Sequence, residues 1–193
     1  MSDELRVGFV TGTTPDKWAR AWRDQRRGPL TLVPITEEDQ EDVVRRGVVD
    51  MALVRLPVDT DELHCVRLYD ELPVVVAGHS HLVAAVDQVT LADLVDEQLV
   101  RPHSSGWRPA VDQLAWPPMS EQEAIEAVVA GTGIVLVPMS VARLFHRKDV
   151  VTREVADLPP TTVALVWLRE RDDERTQAFV GVVKGRTANS TRG

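Results

Sequence analysis

The sequence predicts an α/β protein built on parallel sheets. Three observations carry that prediction: strand-like runs alternate with helical segments along the chain, glycine and proline mark the joints, and most of the strand runs are continuously apolar, as in strands buried on both faces. Leu5 to Val10 is the first strand, and it leads into Thr11-Gly-Thr-Thr-Pro15, where Thr14 is placed to cap a helix and Pro15 to occupy its first turn. In the helix over 15–27, Trp18 and Trp22 share one side, Arg20, Arg23 and Arg27 lie nearly opposite, and Gly28-Pro29 ends it. Leu30 to Ile35 is a second strand, Thr36 to Arg46 a helix stopped by Gly47, and Val49 to Val54 a third strand.

The second half repeats the alternation. Leu63 to Ala77 holds two strand runs, and Thr90 caps a short helix that begins at Leu91. Leu99-Val100 reads as the start of another strand. Ser120 and Glu123 have the spacing of a capping box, ahead of a helix whose apolar face is Ala124, Ile125, Val128 and Val129 and which Gly131 ends. Gly133 to Pro138 is a buried strand, Ser140 to Phe145 a helical turn or two, Val163 to Trp167 a last strand and Glu174 to Val183 a closing helix. From Lys184 onward the residues are small or polar, which predicts a frayed tail.

Composition narrows the function. The 193 residues, 44% of them apolar, suffice for a folded core, and a formal charge of −8 disfavours direct binding to phosphate backbones. One cysteine, Cys65, forms no internal disulfide, the N-terminus does not read as a secretory signal, and no apolar run is long enough for a bilayer, so a cytoplasmic location is the expectation.

Four stretches resemble the effector-binding domain of the LysR-type transcriptional regulators. They are the opening strand with its threonine loop, Asp42-Val-Val-Arg-Arg-Gly-Val-Val-Asp-Met-Ala-Leu-Val54, His81-Leu-Val-Ala-Ala with Val89-Thr-Leu-Ala-Asp-Leu94, and Ala127-Val-Val-Ala-Gly-Thr-Gly-Ile-Val-Leu-Val-Pro138. Leu82 stands where the family commonly has proline. The resemblance implies a two-lobed type 2 periplasmic-binding-protein-like fold, each lobe a sheet flanked by helices, with lobe I over 1–73 and 157–193, lobe II over 74–156, and a ligand cleft between them. With the first strand at Leu5 there is no room for a helix-turn-helix, so the expected form is the stand-alone substrate-binding protein, whose regulatory output runs through a partner. The family's side-by-side dimer implies pairing through 15–27, which is basic, and 121–130, which carries Glu121, Glu123 and Glu126.

Each expected ligand contact has a plainer reading beside it. Thr11, Thr13 and Thr14 lie at a strand-to-helix junction, where amides and hydroxyls suit a carboxylate or phosphate, or serve only as caps. The resemblance transfers a carboxylate-binding hydroxyl to Thr11 or Thr13. Thr36 follows the second strand and either lines the cleft or caps a helix. Arg55 emerges at the end of the third strand, suited to a ligand carboxylate or to an ion pair with Asp59 or Glu62. Arg101, His103, Ser104, Ser105 and Trp107 form a polar, aromatic loop of the second lobe, and Ser140 follows another strand; these residues line the cleft or the surface.

Other motifs point away from chemistry. His79 and His81 lack further metal ligands, His64 and Cys65 point to opposite faces of a strand, Gly131-Thr-Gly133 is a turn, and acidic residues interrupt the arginines of 15–27. No metal, cofactor or catalytic residue is expected. The leading reading is a sensor of a small anionic effector, acting as a homodimer or through a partner regulator. The rival is an enzyme of the same fold acting on a small organic acid, for which Glu37 is the one carboxylate at a strand end.

Overall fold

The computed structural model describes residues 4–185, so the polar tail lies almost wholly outside the described residues. Its contacts divide the chain into two compact units, Met1–Tyr69 with Thr162–Gly193, and Asp70–Thr161.

The first unit is organised by a five-stranded sheet in the order β2-β1-β3-β9-β4. The strands are β1 Leu5–Val10, β2 Leu30–Ile35, β3 Met51–Arg55, β4 Leu63–Glu71 and β9 Thr161–Leu168, with helices α1 Asp16–Asp24, α2 Asp42–Arg45 and α5 Glu174–Val183. β1 pairs in parallel with β2 and β3, so these three strands end at one edge, whereas β3 and β9 are antiparallel, with Leu53 opposite Leu165. Alternation along the strands sorts side chains into two clusters. Met51, Leu53, Leu165 and Trp167 join Trp18 and Trp22 of α1 and Phe179 of α5 on one face. Ala52, Val54, Ala164 and Val166 join Val44 of α2 on the other. The tryptophan stripe of α1 is therefore core: Trp22 packs 5.8 Å from Phe179, and its indole donates to the Gly28 carbonyl, 2.9 Å away.

The second unit has a four-stranded sheet in the order β6-β8-β5-β7. Its strands are β5 Pro73–Gly78, β6 Gln88–Val89, β7 Ile134–Pro138 and β8 Val150–Val155, with helices α3 Glu121–Val129 and α4 Met139–Leu144. β5 is antiparallel to both β7 and β8. Val74, Val76, Val135 and Val137 pack with Ala124, Ile125 and Val128 of α3, while Val75, Ala77, Ile134 and Leu136 face Leu94 and Leu99 on the other side.

The sheets are thus mixed and not parallel as expected. Apolar runs report burial on both faces, which β5 and β9 share with parallel strands, and carry no information on strand direction. Both capping boxes of this unit form: Thr90 with Asp93, and Ser120 with Glu123. Leu99 makes only an isolated bridge to Ile134 and not a strand. β8 is absent from the sequence reading because Thr152, Arg153 and Glu154 interrupt its apolar pattern. Gly133, at φ +156°, cannot carry a side chain without strain, since a Cβ there would lie 2.3 Å from the Gln98 carbonyl oxygen.

Candidate functional site

The three parallel strands of the first unit deliver three segments to one edge: the Thr11 loop from β1, Thr36-Glu37 from β2 and Arg55 from β3. Ligands of such sheets bind beyond the carboxyl ends of the strands. Arg55 ties the segments together. Its side chain is 3% exposed, with one guanidinium nitrogen 2.6 Å from Glu37 Oε1, while another donates to the Thr11 carbonyl at 2.7 Å. Gln40, itself buried, accepts from the Arg55 amide at 2.9 Å and donates to its carbonyl at 3.0 Å, which satisfies the backbone where β3 ends.

Arg55 is therefore not in the expected ion pair with Asp59 or Glu62. Arg45 takes both, at 3.3 and 3.6 Å, and also bonds the carbonyls of Asp59 and Asp61. Arg45 is the last residue of the four-residue α2, and its bonds to the Asp59 and Asp61 carbonyls hold it against that loop; nearness in sequence to Arg55 carries no such information.

The threonines divide. Thr13 is buried and its hydroxyl donates to the Val10 carbonyl at 2.7 Å, so its proton is committed to the turn. Thr14 is exposed and is not the helix cap: Pro15 holds that position, with no side-chain hydrogen bond. Thr11 is half-buried. The Thr36 hydroxyl accepts from the Asp39 amide at 3.1 Å and donates to the Asp39 carboxylate at 2.7 Å. That local pairing turns the chain at once, so the helix expected over 36–46 shortens to α2.

In the second unit Arg101 Nε donates to the Met119 carbonyl at 3.1 Å, and its guanidinium lies 3.5 Å from Glu121. Ser104 is exposed, and Trp107 is half-buried against the Val75 and Leu136 cluster. His103 Nδ1 accepts from the Ser105 amide at 3.2 Å and lies 2.9 Å from the Ser105 hydroxyl, which in turn accepts from the Trp107 amide at 3.2 Å. Burial, then the nearby Arg101 charge, pushes the His103 pKa below its ordinary value. Ser140 donates to the Glu71 carboxylate.

Gln40 and the Glu37 to Arg55 pairing are what the sequence reading lacks; the only signal was the position of both charged residues at strand ends. No group of three or more His, Cys, Asp or Glu suited to a metal occurs among the described residues. His81 instead accepts from the Val83 amide at 3.2 Å and pairs with Glu97 at 3.0 Å. Burial raises the pKa of the Cys65 thiol, while His64 stacks on Trp167 at 5.0 Å. No described helix is long and apolar enough to cross a membrane.

Comparison with known proteins agrees with this architecture. The chain is similar to the effector-binding domain of BenM with its effector benzoate, at a TM-score of 0.77 and 20% identity, over 94% of this chain and 90% of that one. It is also similar to the reduced OxyR regulatory domain of Pseudomonas aeruginosa, at a TM-score of 0.75 and 20% identity, over 94% and 95% of the two chains. Such likeness shows the fold: an α/β architecture of the two-lobed type 2 periplasmic-binding-protein-like kind. In sequence it is 28% identical to the Hca operon transcriptional activator HcaR of Escherichia coli, over 97% of this chain and 69% of that protein. It is 24% identical to the HTH-type transcriptional regulator AlsR of Bacillus subtilis, over 78% of this chain and 55% of that protein. The chain thus spans about half to two-thirds of the length of these relatives, which are named as transcription regulators. The LysR substrate binding domain family matches residues 1–188, and the chain belongs to that family.

Proposed function

We propose that this chain is an effector-sensing protein of transcription regulation, which binds a small carboxylate-bearing molecule at the carboxyl ends of β1, β2 and β3. The observation that carries this reading is the buried Arg55 guanidinium, which bonds Glu37 and the Thr11 carbonyl where the three strands end. A charge held this way fixes two loops in one geometry before the ligand arrives, so less ordering is left to oppose binding. Thr11 and Thr14 supply hydroxyls at this edge, Thr13 and Thr36 lock the turns beside them, and Arg55, through its bonds to Glu37 and the Thr11 carbonyl, fixes the segments that would meet a carboxylate. Arg101, Ser104, Trp107 and Ser140 form the second unit's proposed contact set.

The engagement of Glu37 by Arg55 favours a sensor over an enzyme, because the one carboxylate at a strand end already serves as an ion-pair partner. The proposed output is protein contact, in the cytoplasm, through a homodimer or a partner regulator. α1 presents exposed Arg20 and Arg23 for such a contact. On α3, Glu121 is drawn toward Arg101, which offsets part of the acidic face, while Glu123 is held in its capping box and Glu126 accepts from Gln122 at 3.0 Å.

Thermal unfolding with a panel of aromatic and aliphatic carboxylates, amino acids and sugar phosphates tests the reading. A ligand bound only by the native state raises Tm in a saturable way, as RT ln(1 + [L]/Kd) requires. A carboxylate is expected to do so in the parent, and to lose most of the effect in a folded Arg55→Met variant. A flat response across the panel, or a shift unchanged in Arg55→Met, overturns it.

A further inference from the structure

We propose that Gln40 is a positioning residue of the strand-end site, a role that rests on reading this edge as the effector site. Its side-chain amide stands in for the strand residue that β1 does not supply to the end of β3. In doing so it holds the Arg55 guanidinium in reach of Glu37 and Thr11 together.

The need arises in the backbone. The register of β1 with β3 ends at Phe9 opposite Leu53, and β1 then turns away, the Val10 carbonyl accepting from the Thr13 amide at 3.1 Å. On its other side β3 runs on, with Arg55 opposite Val163 and the Leu56 amide donating to the Thr162 carbonyl at 2.9 Å. Successive residues of a strand direct their amides and carbonyls to opposite sides, so those of Arg55 point to the side that β1 has left. Arg55 is 4% exposed, and a buried amide and carbonyl need a partner.

Gln40 fills that place. A carboxamide carries an acceptor and a donor side by side, as a peptide group does, and Gln40 spends both on Arg55, at 2.9 Å to its amide and 3.0 Å to its carbonyl. Three residues earlier, Glu37 meets the guanidinium of the same arginine at 2.6 Å, and Thr36 with Asp39 closes the turn between. One turn thus grips Arg55 at its backbone and at its tip. A guanidinium that reaches Glu37 with one nitrogen and the Thr11 carbonyl with another, at 2.7 Å, leaves little freedom in where its Cα sits. Without the Gln40 bonds the last residue of β3 frays, and the two contacts are no longer held at once.

Arginine side-chain NMR on the whole chain reads the placement of Arg55 with no ligand present, its Nε–H resonance being assigned with Arg55→Met. In Gln40→Met, which removes both bonds at nearly the same side-chain length, that resonance is expected to move toward the position of solvated arginines and to exchange faster with water. Val44→Ala, which loosens the buried packing of α2 but removes no bond to Arg55, leaves it in place. Titration with benzoate then gives a Kd that rises about tenfold in Gln40→Met, the size of one lost hydrogen bond, and that is unchanged in Val44→Ala. Gln40→Glu keeps the acceptor and loses the donor, and carries both readings, with smaller changes of the same sign, if Gln40→Met does not fold. An Arg55 resonance unmoved in Gln40→Met, or moved as far by Val44→Ala, overturns the proposal, and so does an unchanged Kd. A moved resonance with benzoate bound by neither the parent nor any variant keeps Gln40 as the anchor of Arg55 and overturns instead the effector reading of this edge.

Discussion

Both units hold a loop in place, and they do it with opposite chemistry. In the first, a guanidinium 3% exposed reaches a carboxylate 25% exposed, and together they pin the segments after β1 and β2. In the second, two neutral side chains, Gln98 and Gln113, exchange hydrogen bonds with the backbone on opposite sides of an exposed seam. The difference teaches where each unit is fragile. Removing one half of a desolvated ion pair strands a charge, whereas removing an exposed amide lets water take over its bonds. The first unit is rigid but intolerant at its strand ends, and the second is tolerant around its loop.

The largest expected effect follows from the charge. Glu37→Ala takes a 2.6 Å carboxylate contact from a guanidinium that is 3% exposed, and lowers the free energy of unfolding by about 3 kcal/mol, toward the lower end of what breaking a buried pair costs because Glu37 is partly solvated. Arg55→Met combined with Glu37→Ala is expected to lose less than the sum of the two single variants, with a coupling of more than about 1 kcal/mol in denaturant unfolding. Simple additivity would mean that the pair is held no more tightly than a surface contact, and the contrast between the units would fail.

A smaller effect is expected from the seam. Gln113→Ala removes a part-buried contact to the Leu99 amide and two exposed ones to the Glu97 and Val111 carbonyls, and costs about 1 kcal/mol. Hydrogen exchange at Leu99 should quicken in that variant while β1 and β3 keep their protection. A loss equal to that of Glu37→Ala would show the seam to be as critical as the ion pair.

Legibility in the sequence follows the range of the interaction. Ser120 with Glu123, the cap at Thr90, and the run 174–183 of α5 are local, and the structure has them where the spacing puts them, adding Asp93 as the partner of Thr90. The tryptophan stripe of α1 is legible for the same reason. Strand direction is not, since Ala52 meets Val166 across more than half the chain and an apolar run reads alike in either sense. At the strand ends the position of Arg55 is legible, but its partner is not: Asp59 and Glu62 are nearer in sequence, yet the fold gives them to Arg45 and brings Glu37 to Arg55. Gln40 carries no signal at all, because a glutamine in a polar turn announces nothing until a strand end needs both of its amide atoms.

The smallest expected effect lies in the turn 103–107 of the second unit, and it sharpens the comparison by asking whether this loop, too, contains a charge-sensitive element. His103 Nδ1 accepts from the Ser105 amide, which requires the neutral ring with its proton on Nε2. Burial first, and the Arg101 charge second, hold the pKa of the folded ring below the ordinary value of about 6.5. The unfolded chain therefore binds a proton more readily than the folded one. The contribution of His103 to stability is fully present above pH of about 6.5, declines as the pH falls below that, and is gone once the pH passes the lower folded value. An NMR titration should give His103 a midpoint below that of an exposed histidine, and amide exchange at Ser105 should accelerate in step with protonation. Arg101→Gln raises the midpoint only part of the way, because burial is the larger cause. A midpoint at or above the ordinary value would show that the ring does not accept the Ser105 amide, and the turn would then be held by the Ser105 hydroxyl alone.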